Sequence, residues 1–272
     1  MNIGGSNQVR IKPPIRGLEL PKIENVLTPL PNDYKSLFSS NKFKERTIDF
    51  TGVVTSDTIS NYFTLRDNFQ TNLYQKDEET DFTLATFESP SRIFKFKGSI
   101  ENIGLPIERL GYSEFELSIR CSDPFLYAPE QVEASLNFTQ AGVRIPFRIP
   151  HIIGGDATNS LSLNNTGNFE VYCSITIQGP GKNFTIQNQT TGKSARLGYY
   201  GNDYYLGLNQ SVTIDGQAKR VTENESNRFN FLTSFEALKL IPGSNTFIFA
   251  VESNNSSETM ATVIFTPKFS HI

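Results

Sequence analysis

The chain has 272 residues, a formal net charge of −3 and a sequence pI close to 5.6. This mildly acidic balance argues against nucleic-acid binding through overall charge, because phosphate recognition needs a basic surface. The length is typical of two domains, since one compact core usually takes about 100–200 residues. No apolar run approaches the ~20 residues of a membrane helix, so we expect no contact with a membrane.

The sequence offers few side chains for catalysis or metal binding. Its two cysteines, Cys121 and Cys173, each lie on the apolar phase of a strand pattern, which predicts buried thiols rather than a disulfide or a metal pair. His151 lies in a loop after a proline, and His271 is the penultimate residue. We therefore predict no catalytic residues, no metal site, no cofactor and no enzymatic activity.

Prolines interrupt the first 46 residues, which are also rich in short apolar clusters. Proline excludes a helix and a central strand, whereas the apolar content exceeds that of a mobile tail. Two interpretations remain: this stretch covers the core of its own domain, or it forms an arm that packs on a neighbouring copy. Residues 1–10 lack the apolar stretch of a secretory signal, so we expect the chain to fold in the cytoplasm.

Regular structure begins with an alternating strand at Thr47–Val54. Apolar side chains then recur at intervals of three and four residues, which predicts an amphipathic helix from Thr58 to about Gln75. Three further segments, 82–87, 92–103 and 112–122, alternate as strands do. One helix among antiparallel strands makes the first half a small α+β domain.

The boundary between the two halves follows the strand that ends near Ser122. The dipeptide Asp123-Pro124 stops the strand, because proline has no N–H for a sheet ladder and disfavours a helical residue before it. We predict a first domain at residues 1–128 and a second at residues 129–272.

Short strands separated by turns dominate the second half. The clearest alternation runs from Phe169 to Gln178, and Asp215-Gly216 is a hairpin signal. Turns recur every 8–12 residues, which is typical of a β-sandwich. The predicted fold is mainly β, with one helix in the first half.

The second half also contains a cluster of four tyrosines: Tyr199, Tyr200, Tyr204 and Tyr205. Exposed aromatic rings on a loop could stack on a sugar or anchor a protein partner. Alternatively, the cluster is a hairpin in which residues 195–199 pair with 205–209 and the rings make cross-strand pairs. These four residues are the candidate contacts for a partner or a saccharide.

Several short motifs, in their order and spacing, resemble one known family. The chain is similar to the distal tail proteins of phages with long non-contractile tails that infect Gram-positive bacteria. The resemblance covers nearly the whole chain and is carried by Gly17–Leu20, Arg46–Gly52, Leu65–Asp67, Cys121–Tyr127, Asn165–Gly167, Ile175–Gly179, Val212–Asp215 and Leu240–Asn245.

The resemblance implies a structural role at the tip of the virion tail. Its N-terminal domain would close into a homo-hexameric ring, and its C-terminal domain would be a galectin-like β-sandwich outside that ring. The partners would be the tail tube protein, the tail-associated hub protein and receptor-binding or baseplate proteins. DNA would pass through the channel without sequence-specific binding, and assembly would take place in the host cytoplasm.

A rival interpretation belongs to a different class of function. The second domain could be a lectin-like adhesin that binds a cell-wall saccharide through the tyrosine cluster. Saccharide binding and ring assembly are measurable separately, so experiment can distinguish the two.

Overall fold

The computed structural model describes residues 8–29, 36–74, 78–86, 92–137, 157–199, 201–253 and 259–272. In these residues the chain is mostly strand with one α-helix in its first half, as predicted. Contacts divide it into two units, one up to Pro129 together with Phe269–Ile272, the other Glu130–Lys268. The last four residues, which the sequence analysis assigned to the second domain, thus lie in the first unit.

Both units consist mostly of β-strands. The first unit contains β1 (Gln8–Arg16), β2 (Ile23–Pro29), β3 (Ser36–Phe43), β4 (Arg46–Thr55), α1 (Ile59–Tyr74), β5 (Thr80–Ala85), β6 (Ile93–Arg109), β7 (Tyr112–Cys121) and β8 (Leu126–Tyr127). The second contains β9 (Val132–Asn137), β10 (Ala157–Asn165), β11 (Val171–Tyr172), β12 (Ser174–Gln178), β13 (Gly181–Asn188), β14 (Lys193–Leu197), β15 (Tyr205–Leu206), β16 (Ser211–Asp215), β17 (Arg220–Glu223), β18 (Ser226–Asn227), the 3-10 turns η1 (Phe229–Phe231) and η2 (Glu236–Leu238), β19 (Lys239–Leu240), β20 (Gly243–Ser253) and β21 (Met260–Phe265). A last strand, β22 (Lys268–Phe269), returns the chain to the first unit.

The first unit is built on a sheet with the strand order β1-β4-β7-β6-β8-β22, and β5 pairs with β6 beside it. The helix α1 covers this sheet through Tyr62 and Phe69, both buried, and the Phe69 ring lies 4.8 Å from that of Phe115 on β7. The Thr58 hydroxyl caps the helix by accepting a hydrogen bond from the Asn61 N–H at 3.2 Å. At 16 residues this helix of the described chain is neither long nor apolar enough to cross a membrane.

The proline-rich N-terminal segment forms two separate structures. Strand β1 lies at the edge of the sheet on β4, and its register shifts between Lys12 and Arg16, where Pro13 and Pro14 stand. An edge strand tolerates proline because one side of it needs no ladder hydrogen bonds. Strands β2 and β3 pair with each other and form a two-stranded sheet of their own.

The end of the chain completes the core of the first unit. Phe269 is buried, and its ring meets that of Phe94 edge-on at a centroid distance of 5.0 Å. Arg46, also buried, donates hydrogen bonds to the carbonyl oxygens of Ser270 and Glu19. Burial lowers the pKa of the Arg46 guanidinium, which reflects the cost of desolvating the cation.

The second unit is a β-sandwich around one shared core. One sheet has the order β10-β20-β13-β14 with β15 also on β13, and the other has the order β18-β17-β16-β12-β21-β9. Alternate residues of β12 and β20, among them Ile175, Ile177, Phe247 and Phe249, are fully buried in that core. The alternation in the sequence therefore corresponds to one buried face on each sheet.

The long strand predicted from Phe169 to Gln178 is interrupted at Cys173. Strand β11 pairs with β19, whereas β12 pairs with β16 and β21. At the break the Cys173 N–H and thiol both donate to the Leu238 carbonyl oxygen, at 2.9 and 3.2 Å. Both Cys173 and Cys121 are free and buried, as the sequence predicts.

We predict that Phe269→Ala destabilises the first unit by about 3 kcal/mol, because it leaves a cavity beside Phe94 in a packed core. Denaturant unfolding would measure the loss, and hydrogen exchange would assign it to the first unit. Phe229→Ala, at an exposed position of the second unit, is the control and should cost about 0.5 kcal/mol or less. Equal costs for the two variants would contradict the role assigned to the chain end.

Candidate interaction site

The four candidate tyrosines have different environments. Tyr199 and Tyr205 are 40% and 62% exposed, whereas Tyr204 is only 4% exposed. The Tyr204 ring packs against Phe231 at 5.2 Å, and burial, together with the nearby charge of Glu223, raises the pKa of its hydroxyl. Tyr204 is thus a core residue rather than a contact residue, and Tyr200 lies outside the described residues.

The tyrosines lie on a tight turn instead of the predicted hairpin. Strands β14 and β15 both pair with β13 and not with each other, so residues 195–199 and 205–209 do not form a hairpin. The backbones of Tyr199 and Asn202 exchange hydrogen bonds of 3.1 and 2.7 Å. We call residues 198, 199 and 201–205 the tyrosine turn.

Asn183 on β13 holds the tyrosine turn from inside. Its backbone is in the left-handed region at φ 48°, which asparagine tolerates better than most residues. Its N–H donates to the Tyr204 carbonyl at 3.0 Å, and its Oδ1 accepts from the Tyr204 N–H at 2.9 Å. Its amide nitrogen donates to the carboxylates of Asp203 at 2.8 Å and Glu252 at 2.5 Å.

Two cations complete this arrangement. Lys182 pairs with Asp203 at 2.8 Å, and Arg196 pairs with Glu252. The Lys182 ammonium also lies 5.3 Å from the centre of the Tyr205 ring, within the range of a cation–π contact. The hydrogen bond from Asn183, followed by that from Lys182, lowers the pKa of Asp203. We call Lys182, Asn183, Arg196, Asp203 and Glu252 the Asn183 network.

A neighbouring segment that the sequence analysis did not single out supports the same turn. The Gly198 N–H donates to the Phe231 carbonyl at 2.9 Å, and the Asn202 side chain donates to the Asn230 carbonyl at 3.4 Å. Phe229, next to Asn230, is exposed. The run Phe-Asn-Phe-Leu at 229–232 is the signal that could have pointed to this aromatic surface.

The first unit has a different surface feature, an apolar cavity of about 500 Å³ beside the end of β5. In the described part of the chain, β5 pairs with β6 and with no other strand. The cavity is lined by Pro13, Ile15, Leu18, Glu19, Leu84, Ala85, Thr86 and Ile272.

The described residues contain few groups that could bind a metal. Among the described residues, no three His, Cys, Asp or Glu side chains come together as a set of metal ligands. Of the two histidines, only His271 is described, and its Nδ1 lies 3.0 Å from the neighbouring Ser270 hydroxyl.

Comparison with known proteins identifies the second unit. Residues 166–269 match the family model of the siphovirus-type tail component, C-terminal domain. Most of the second unit is therefore similar to this tail component family. The resemblance to the distal tail proteins is confirmed.

A solved phage protein has the same fold over nearly the whole chain. The SPP1 Dit (gp 19.1) protein, described as a paradigm of the hub adsorption apparatus in phages that infect Gram-positive bacteria, superimposes with a TM-score of 0.59. The match covers 96% of this chain and 93% of that one at 15% identity, so it shows a common fold. A chain of the phage P2 baseplate, in its activated conformation with Ca, is similar with a TM-score of 0.41 at 11% identity, covering 98% of this chain and 92% of that chain. A comparison with curated protein sequences found no match.

We predict different costs for alanine at two glycines of the tyrosine turn that share the same backbone conformation, Gly198 at φ +81° and Gly201 at φ +82°. A Cβ at Gly201 meets nothing within 4 Å, so Gly201→Ala should cost only the backbone strain of about 1 kcal/mol. A Cβ at Gly198 would overlap the Asn183 side chain and lie 2.7 Å from the Tyr204 nitrogen. Gly198→Ala should therefore cost about 1–2 kcal/mol more. Denaturant unfolding measures both, and equal costs would show that Asn183 does not hold the turn.

Proposed function

We propose that this chain is a non-enzymatic hub of the phage tail tip. Its first unit assembles into a homo-hexameric ring, which joins the tail tube to the tail-associated hub protein and leaves a channel for DNA. Its second unit, a galectin-like sandwich, faces outward and provides docking sites for receptor-binding or baseplate proteins. The tail-component family of the second unit and the fold shared with SPP1 Dit support this proposal.

The observation that carries the ring is the hairpin of β2 and β3. These strands pair with each other from Ile23↔Phe43 to Pro29↔Ser36 and form a sheet of only two strands. An isolated two-stranded hairpin is marginally stable in water, because its backbone hydrogen bonds lack the cover of a packed face. A hairpin of this length gains stability from a partner surface, and a neighbouring copy of the chain provides one.

The first unit also offers a surface that could receive such a hairpin. The apolar cavity beside the end of β5 lies next to a strand edge that pairs with no other described strand. In our proposal the hairpin of one protomer packs here on the next. Donor and acceptor surfaces are then different patches of the same unit, which makes the contact heterologous, and six such contacts close a ring.

We predict that removing the hairpin abolishes the ring and leaves the two units folded. The Lys44 N–H donates to the Lys22 carbonyl at 2.8 Å, so a short Gly-Ser linker can replace residues 24–43 without separating the two ends. Light scattering should give six times the 30.5 kDa chain mass for the wild type and the monomer mass for the variant. Circular dichroism and a thermal melt would confirm that the variant is folded.

The measurement should be made both alone and with the tail-associated hub protein, since a partner can promote closure of a ring. Phe229→Ala in the second unit is the matched control and should leave the mass unchanged. A wild type that stays monomeric in both conditions would refute the ring. A variant that closes rings without the hairpin would refute its role in assembly.

A further inference from the structure

We propose that the second unit carries a binding site for a neutral saccharide, formed by the tyrosine turn and the Asn183 network. The ligand class follows from the chemistry of the exposed groups. The proposal does not depend on the ring, because every residue involved lies in the second unit.

The aromatic part of the site is the exposed ring of Tyr205, and Tyr199 on the same turn is also exposed. Sugar rings present C–H faces that pack against aromatic rings, and tyrosine adds a hydroxyl for hydrogen bonding. The orientation of Tyr205 is restrained, because Lys182 lies over its ring at 5.3 Å and its hydroxyl lies 3.4 Å from Asp203 Oδ2. With more than half of Tyr205 open to solvent, ring surface remains for a ligand.

The polar part of the site matches the hydroxyl groups of a sugar. Each sugar hydroxyl both donates and accepts hydrogen bonds, so a complementary site needs fixed acceptors next to fixed donors. Asp203 and Glu252 supply carboxylate oxygens, and Lys182 and Arg196 supply N–H groups. These four side chains are between 28% and 44% exposed, so they are partly ordered by the protein and still accessible.

The site is held in place before any ligand arrives. Asn183 is 2% exposed, and its amide bridges the two carboxylates while its backbone and Oδ1 bind Tyr204. A ligand therefore needs to order few side chains, which reduces the entropic cost of binding.

The charge balance selects a neutral ligand. Two carboxylates are matched by two cations, so the site has no excess positive charge with which to attract a phosphate-bearing polymer. A neutral sugar can exchange hydrogen bonds with both kinds of group without leaving a buried charge unpaired.

The test is isothermal titration of the full chain with four neutral probes: lactose, maltotriose, chitotriose and a rhamnose trisaccharide. We expect saturable binding of at least one probe. Tyr205→Ala should weaken that binding about tenfold, because it removes a stacking surface without disturbing the core. Asp203→Asn should also weaken it by weakening the hydrogen-bond acceptor and the Lys182 pair.

Phe63→Ala is the matched control, since Phe63 on α1 of the first unit is an aromatic residue 40% exposed, as Tyr199 is. It should leave saccharide binding unchanged. No binding of any probe, equal binding by Tyr205→Ala, or preferential binding of polyglycerol phosphate would overturn the proposal. Loss of a receptor-binding protein in Tyr205→Ala, with no sugar bound by the wild type, would assign the surface to a protein partner instead.

Discussion

A buried guanidinium ties together three distant parts of the first unit. Arg46 begins β4, and its hydrogen bonds reach the carbonyl of Glu19 near the start of the chain and that of Ser270 near its end. Burying a cation is costly, and carbonyl dipoles offset only part of that cost. Phe269, at the end of β22, is buried next to this site in the sequence, and its apolar burial adds stabilisation. As a result the chain leaves the first unit after Pro129 and returns to it at Phe269, so two covalent connections link the units.

The alternation of apolar and polar residues predicts which face of a strand is buried, but not which strand lies beside it. Strand β7 illustrates the success, because its alternate residues are buried along its whole length. Cys173 illustrates the limit. The alternation continues through it, although the pairing partner changes there from β19 to β16 and β21. In both segments the same alternate residues are buried in one core, so the sequence pattern does not show where the pairing partner changes. The return of Phe269 to the first unit was missed for a similar reason, since a two-residue strand has no periodicity.

The candidate site shows the same division between what a local pattern can and cannot predict. The cluster of tyrosines was evident in the sequence, yet its local pattern could not show that Tyr204 packs inward while Tyr205 faces solvent. The Asn183 network draws on β13, β14 and β20, which pair only in the folded sheet. In the sequence alone, Asn183 cannot be distinguished from other polar residues near a turn. Its backbone is left-handed, and its amide nitrogen contacts the carboxylates of Asp203 and Glu252, which are distant in the sequence.

The two surfaces differ in how far their polar groups are satisfied within the chain, and this difference separates their proposed roles. Among the described strands, β2 and β3 pair only with each other, so in the proposed ring the hairpin would gain stability from a neighbouring subunit that covers it. Several backbone groups of the tyrosine turn, and the carboxylates of Asp203 and Glu252, are paired within the second unit. The turn is therefore held in place without a ligand, and it can bind and release one without refolding. In the proposed hub, the first surface would hold the ring together, and the second would make reversible contacts.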